Sequence, residues 1–210
     1  MSSIAYRISG YNRRRKYKKF LRLLNPIVSD RILDIGFTEV EYSDNDNFLE
    51  KNYPHQKNII ALGVDRAEEF SKRYPLVQAV SYDGGNFPFK DKEFDIAWSN
   101  AVIEHVGPEE KQLIFLKEAI RVSRRLFLTT PNRNFPIEVH TRTILLHFLP
   151  KNIFDKYLNL IGKSWATGDY MNLLTIKRMK RLLLRAGVTN YQIITNKFLC
   201  FTLDFVVVIK

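Results

Sequence analysis

Four side chains in the first half of the sequence stand where strand-like apolar runs give out. Asp34, followed by Gly36, ends Arg31-Ile-Leu-Asp-Ile-Gly-Phe37; Asp65 ends the run from Ile59, Asp83 the run from Leu76, and Asn100 the run from Phe94. In an open parallel sheet such ends lie side by side along the one edge where ligands bind. A carboxylate placed there can accept two hydrogen bonds from the hydroxyls of a ribose, and Asp65 in Leu62-Gly-Val-Asp65 is the candidate. The same Asp would serve as the N-cap of a helix that follows it. A second group carries histidine: Glu104-His105, and His140 with Glu138 two residues before it, on the same side of an extended chain. Histidine has the pKa that a general base near neutral pH needs, so His105 and His140 are candidate catalytic residues for proton removal from a hydroxyl. A structural hydrogen bond is the plainer role for either. His147, set among Leu145, Leu146, Phe148 and Leu149, reads as a packed residue. No metal-ligand spacing appears, and no serine or cysteine has a recognisable base context.

The elements that must position these residues follow from periodicity. Strands are expected at 31–36, 58–64, 76–81, 94–99 and 124–130, and helices at 45–52, 66–73 and 108–122, the last opening on Pro108-Glu109-Glu110 with Leu113, Leu116 and Ile120 facing inward. Crossovers of this length force parallel, right-handed connections. Residues 133–174 are aromatic-rich and offer no strand, so they read as an inserted helical lid with Ile153, Tyr157 and Leu160 as its stripe. A helix at 175–186, with Ile176, Met179, Leu183 and Ala186 inward and Gly187 as its cap, precedes two strands at 190–197 and 199–209 whose short connection makes them an antiparallel hairpin. The expected fold is α/β: a Rossmann-like three-layer sandwich on a seven-stranded, mostly parallel sheet that ends in a hairpin.

The 210 residues, 45% apolar, suit one well-buried core, so the expectation is a single domain over 1–210 with a basic N-terminal helix (1–25) and the lid (133–174) as appendages. One cysteine, Cys200, excludes an internal disulfide framework, and no cleavable signal or long apolar span is present, which makes a cytoplasmic location the expectation. The net charge is +11, but residues 1–29 hold eight basic side chains and no acidic one, leaving +3 for the remainder. The basic character therefore belongs to one segment, and a surface that coats nucleic acid does not follow. In that segment Tyr17, Phe20, Leu21 and Leu24 form a helical stripe, which would dock on the domain or, with its arginines and lysines, lie peripherally on an anionic membrane at its inner face.

Charge also selects among nucleoside cofactors. The loop after Gly36 contains Glu39, Glu41, Asp44 and Asp46, four carboxylates near the place where a dinucleotide would set its pyrophosphate, and it lacks the glycines that such a ligand needs. This argues against NAD or FAD and is compatible with S-adenosylmethionine, which has cationic centres and no phosphate. Ser43-Asp-Asn-Asp46 would also cap the helix at 45–52.

Residues 31–130 resemble a class I S-adenosylmethionine-dependent methyltransferase of the type 11 group. The resemblance rests on Ile32-Leu-Asp-Ile-Gly36, Leu62-Gly-Val-Asp65, Asp83-Gly-Gly-Asn-Phe-Pro-Phe89 and, most specifically, Phe94-Asp-Ile-Ala-Trp-Ser-Asn-Ala-Val-Ile-Glu-His-Val106. It implies that Asp34 and Gly36 line the methionine part of the cofactor, that Asp65 holds the ribose, that Asp83 meets the adenine with Gly84 giving room, and that Asn100 and Glu104 lie beside it. The family loop carries glycines where this chain has Thr38 and Val40, so a Cβ stands where bare backbone is usual. The segments around Thr129-Thr-Pro-Asn132, His140 and Leu145-Leu-His-Phe-Leu-Pro150 resemble members among enzymes that modify bacterial surface glycans and lipids. The implied activity is methyl transfer to a small, glycan-linked or lipid-linked acceptor. The alternatives are a fold that binds without turnover, and an RNA methyltransferase, against which stands the lack of a base-methylating motif or stacking platform.

Overall fold

A computed structural model describes the backbone of residues 4–210 and the side chains from Ser9 onward. Arg7 and the first three residues of the basic segment thus lie outside the described residues. Seven strands, β1 (Ile32–Ile35), β2 (Ile59–Gly63), β3 (Gln78–Ser81), β4 (Phe94–Asn100), β5 (Ser123–Pro131), β6 (Gln192–Phe198) and β7 (Phe201–Ile209), form one sheet in the order β3-β2-β1-β4-β5-β7-β6. The helices are α1 (Ile4–Leu24), α2 (Phe48–Asn52), α3 (Glu68–Arg73), α4 (Glu109–Val122), α5 (Lys151–Leu160) and α6 (Ile176–Arg185). The fold is Rossmann-like, with flanking helices and the expected antiparallel hairpin of β6 and β7 around Leu199-Cys200. By internal packing the chain forms two compact units, one of residues 1–100, 118–128 and 208–210, the other of 101–117 and 129–207. No helix among the described residues is long and apolar enough to cross a membrane.

β1 pairs in parallel on both sides, Ile32 opposite Ile59 in β2 and opposite Ile96 in β4, and all four of its residues are buried. A strand covered on both faces calls for an unbroken apolar run, and Ile32, Leu33 and Ile35 supply it. Asp34 interrupts that run. Its carboxyl is buried together with that of Glu50 from α2, and no hydrogen bond of ordinary geometry reaches either Glu50 oxygen. Burial, then the Glu50 charge, holds Asp34 well above the usual carboxylate range, with Arg13 of α1 pulling the other way; burial raises Glu50 too. The pair therefore retains a proton where ordinary carboxyls have lost theirs.

α1 lies on the first unit along a single line of residues four apart, Asn12, Lys16, Phe20 and Leu24, all buried. Phe20 meets Trp98 of β4 edge-on at 4.9 Å and Phe127 of β5 at 5.6 Å, and those two rings stack at 5.1 Å. The stripe expected from sequence is corrected at Leu21, which is exposed, and gains the polar Asn12 and Lys16. Beyond α1, Asn25 takes a left-handed conformation, and Arg125 closes the corner by donating to the Leu24 carbonyl and to Asp30, each at 2.7 Å. A cation at the carbonyl end of a helix also offsets its dipole.

In the second unit, Glu109 and Glu110 at the start of α4 pair with Arg181 and Arg185 of α6. Thr175 caps α6 by accepting from the Arg178 N–H at 3.2 Å, and Gly187 ends it at φ 76°. Over 133–174 there is one α-helix with short 3-10 turns. The buried face of α5 is Phe154 and Leu158, closed by Ala166 and Met171, whereas the expected Ile153 is exposed and Leu160 is 85% exposed. Both sets of α5 residues have helical spacing; what selects between them is an irregular segment that periodicity cannot anticipate.

Two tests follow from this packing. Phe20→Ala should destabilise the protein by about 3–5 kcal/mol in urea denaturation, the usual range for emptying an aromatic site; a change under about 1 kcal/mol would show that α1 is not a structural cover. For the carboxyl pair, folded-state pKa values raised above the unfolded ones stabilise at acid pH, and that contribution is lost as pH rises through them. Glu50→Gln should therefore raise the melting temperature more at pH 8 than at pH 4.5, by an amount equivalent to about 1–3 kcal/mol at the higher pH. An equal effect at both pH values would refute the shared proton.

Candidate functional site

Asp34, Gly36, Asp65, Asp83, Gly84 and Asn100 fall in the first unit, and Glu104, His105 and His140 in the second. Gly36 leaves β1 at φ 109°, a conformation that favours glycine, and donates its N–H to the Leu62 carbonyl at 2.7 Å. The loop beyond is held by side chains instead of by glycines. Phe37 is buried against Phe70 and fills the space over Gly63, where a Cβ would lie 2.8 Å from its ring. Asn47 grips the Thr38 peptide groups from both sides, accepting from the Thr38 N–H and donating to its carbonyl, each at 2.9 Å. The Thr38 hydroxyl is buried with no hydrogen-bond partner among the described residues.

Neither of the two alternative capping roles is found. Asp65 does not cap α3, whose N-cap is Ala67 with no side-chain bond; it accepts the Glu39 N–H through one carboxylate oxygen at 3.2 Å and is otherwise exposed. Ser43 to Asp46 does not cap α2 either: Asp46 accepts from the N–H groups of Tyr42 and Ser43, closing a turn, and α2 begins only at Phe48 after a left-handed Asn47. The loop acids are also less repulsive than their number suggests, because Glu41 pairs with Lys51 at 2.8 Å and accepts from Tyr74 at 2.5 Å. Those bonds outweigh the effect of burial and lower its pKa. What still opposes a dinucleotide is the presence of Phe37, Thr38 and Val40 where bare backbone is required.

Asp83 accepts from the Gly85 N–H at 2.9 Å, closing its own turn, and Gly84 sits at φ 84° with only Val64 near, 3.8 Å from where a Cβ would be. At the end of β4, Asn100 accepts from the buried Lys16 ammonium at 3.2 Å. Sequence reasoning missed Lys16 and Glu50. Lys16 was legible as the middle of the 12, 16, 20, 24 line, but a lysine in such a line reads as solvated.

The second unit brings Glu104, His105 and His140 together. Glu104 is fully buried; one of its oxygens accepts from the Thr130 hydroxyl at 2.9 Å, while the other, Oε1, has no hydrogen-bond partner among the described residues. Oε1 stands 4.0 Å from Nε2 of His105 and 4.0 Å from Nε2 of His140, and those two nitrogens are 3.1 Å apart. His105 Nδ1 lies 3.1 Å from the Tyr170 carbonyl, and His140 Nδ1 lies 2.8 Å from Glu138 Oε1. Glu138 also accepts from the His140 N–H and from the hydroxyl and N–H of Thr141. Burial works against its ionisation, but the bonds from His140 and Thr141 outweigh it and hold the carboxyl at about 2. Burial pushes the His105 pKa down in spite of the neighbouring Glu104. His147 is packed as expected, with Nε2 bonded to the Arg133 carbonyl at 3.0 Å. In this unit a cavity of about 240 Å³ is lined by the cations Arg133, Lys151 and Arg178 and by the apolar Leu149, Phe154 and Met171.

The family described as "Methyltransferase domain" (type 11) matches residues 53–125. No curated protein matches the sequence. Among solved structures, an S-adenosylmethionine-dependent methyltransferase from Mesorhizobium loti superposes with a TM-score of 0.60 at 14% identity, over 92% of this chain and 96% of that one. A possible histamine N-methyltransferase from Thermotoga maritima gives 0.56 at 15%, over 96% and 94%. Phosphoethanolamine N-methyltransferase 2 of Haemonchus contortus, solved with S-adenosyl-L-methionine, gives 0.56 at 13%, over 87% of this chain and 38% of that one. Residues 53–125 thus match the methyltransferase-domain family, and the chain has the fold of S-adenosylmethionine-dependent methyltransferases.

Proposed function

We propose that the protein methylates a hydroxyl group of a small acceptor, free or linked to a glycan or lipid, with His105, His140 and Glu104 as the centre that activates the hydroxyl. The observation that carries this reading is the convergence of two imidazole nitrogens 3.1 Å apart, one of them oriented by an ionised, buried glutamate. When bound, S-adenosylmethionine supplies a methyl group on a sulfonium that needs no further activation, so the protein's share is positioning and removal of the acceptor's proton. Because Glu138 holds a proton on His140 Nδ1, Nε2 is the atom that carries a lone pair.

The residues of the first unit fit the cofactor. Gly36 and Gly84 leave bare backbone, Asp65 keeps one carboxylate oxygen for a ribose hydroxyl, and Asp83 lies beside the open backbone of Gly84. Asp34 and Asn100 would line the methionine part, where Lys16 adds the positive charge that an amino-acid carboxylate requires. Asn47 answers the crowding expected from Thr38, because it gives the loop a fixed course without glycine. The cationic and apolar side chains that line the cavity in the second unit suit an acceptor with an anionic group beside an apolar one, as in a phosphate-linked lipid or glycan. One observation favours the second reading, a fold that binds without turnover: the Glu39 N–H already occupies one oxygen of Asp65.

Two measurements separate these readings. Asp65→Ala should weaken S-adenosylhomocysteine binding by about 1.5–3 kcal/mol in calorimetry, and no binding by the wild type at millimolar ligand would remove the cofactor assignment. His140→Ala should lower kcat about 10²–10⁴-fold while leaving S-adenosylhomocysteine affinity within about twofold of wild type; an unchanged kcat would place proton removal elsewhere.

A further inference from the structure

Each imidazole in the second unit has one nitrogen whose role is set by its partner. A carbonyl and a carboxylate can only accept, so His105 Nδ1 facing the Tyr170 carbonyl and His140 Nδ1 facing Glu138 both carry the proton. When both rings are neutral the two Nε2 atoms each offer a lone pair, and they lie 3.1 Å apart. Beside them lies a third electron-rich atom, Glu104 Oε1, buried, with no hydrogen-bond partner among the described residues, and 4.0 Å from each nitrogen. Three ligand atoms gathered this closely form a set that a cation placed among them would satisfy.

We propose that a divalent first-row metal ion of the zinc type binds between His105 Nε2, His140 Nε2 and a Glu104 oxygen. Two imidazole nitrogens bound at about 2.0–2.1 Å stand about 2.8–3.4 Å apart for angles from a right angle to the tetrahedral one, and the separation here is 3.1 Å. All three donor groups lie within 4.8 Å of one another, so the glutamate closes the set by a small side-chain movement. Two imidazoles and one carboxylate are a donor set for zinc and its neighbours in sites that keep a further position open. The environment supports the ligands as well: Glu138 fixes the ring of His140, the Tyr170 carbonyl fixes that of His105, and Thr130 holds the second oxygen of Glu104. The sequence gives no sign of this site, because His140 is 35 residues from His105 and no short ligand motif exists.

The use of the ion rests on the methyl-transfer reading, although its presence does not. An acceptor hydroxyl at the open position would release its proton to solvent nearer neutral pH, and its oxygen would form the new bond to carbon as the bond between carbon and sulfur breaks. In that case His105 and His140 act by holding the ion.

Cobalt(II), followed by its visible absorption, is the probe, titrated into the full-length, untagged, metal-stripped protein. The expected result is one equivalent per chain with the bands of nitrogen and oxygen coordination. Glu104→Gln and His140→Ala should each weaken uptake at least about 10-fold, Glu138→Gln about 10–100-fold, and His55→Ala not at all, with circular dichroism checking that every variant is folded. Should Glu104→Gln or His140→Ala unfold the protein, Glu138→Gln and competition by zinc in the wild type decide. No uptake by the wild type, or uptake that survives in folded Glu104→Gln and His140→Ala, overturns the site. S-adenosylhomocysteine binding in the same samples keeps the two ideas apart: cofactor binding without cobalt refutes the ion alone, and cobalt without cofactor binding refutes only its use in methyl transfer.

Discussion

A strand that is hydrogen-bonded along both edges and covered on both faces has no water to fall back on, and β1 is such a strand. Its pairing with β2 and β4, one residue opposite one residue in parallel, fixes where the chain must emerge from each. The residues that follow β1, β2 and β4 therefore appear at one end of the sheet whatever their identity. β3 extends the row through its own parallel register with β2. The first unit is a device for bringing Gly36, Asp65, Asp83 and Asn100 to a common edge, and the apolar composition of four short segments is what drives it.

Within that frame the polar groups are buried in two different ways. Asp34 and Glu50 are two acids for which burial outweighs the pull of Arg13 and of Lys51 and pushes both toward the neutral form. Glu138 is the opposite case, a buried acid given so many donors that it stays charged. Only the second kind can orient a histidine, because a protonated carboxyl would no longer be acceptor-only. The contrast follows from local chain geometry. Glu138 sits in a tight turn whose N–H groups point at it, whereas Glu50 is buried against a second acid, Asp34.

Most of the architecture was legible because it depends on composition and spacing over a few residues. All seven strands, the hairpin and the order of the helices could be read that way. The misreadings share one cause. The stripes of α1 and α5 were each chosen among spacings that the local sequence allows equally, and partners distant in the chain made the choice: Trp98 and Phe127 for α1, Ala166 and Met171 for α5. At the site, His105, His140 and Glu138 were recognisable as chemically capable residues. Their meeting with Glu104 was not, since no periodicity relates positions so far apart along the chain.

Asn47 has a consequence for how this loop can change over evolutionary time. Where three glycines shape a loop, none of their positions can drift without cost. Here the course of the chain is imposed by one amide that grips the Thr38 peptide from both sides, and those bonds use only backbone atoms of residue 38. The side chain at position 40 is exposed and bears none of the load. Freedom to vary has passed to Thr38 and Val40, and the intolerance that glycine would have carried is concentrated in a single asparagine.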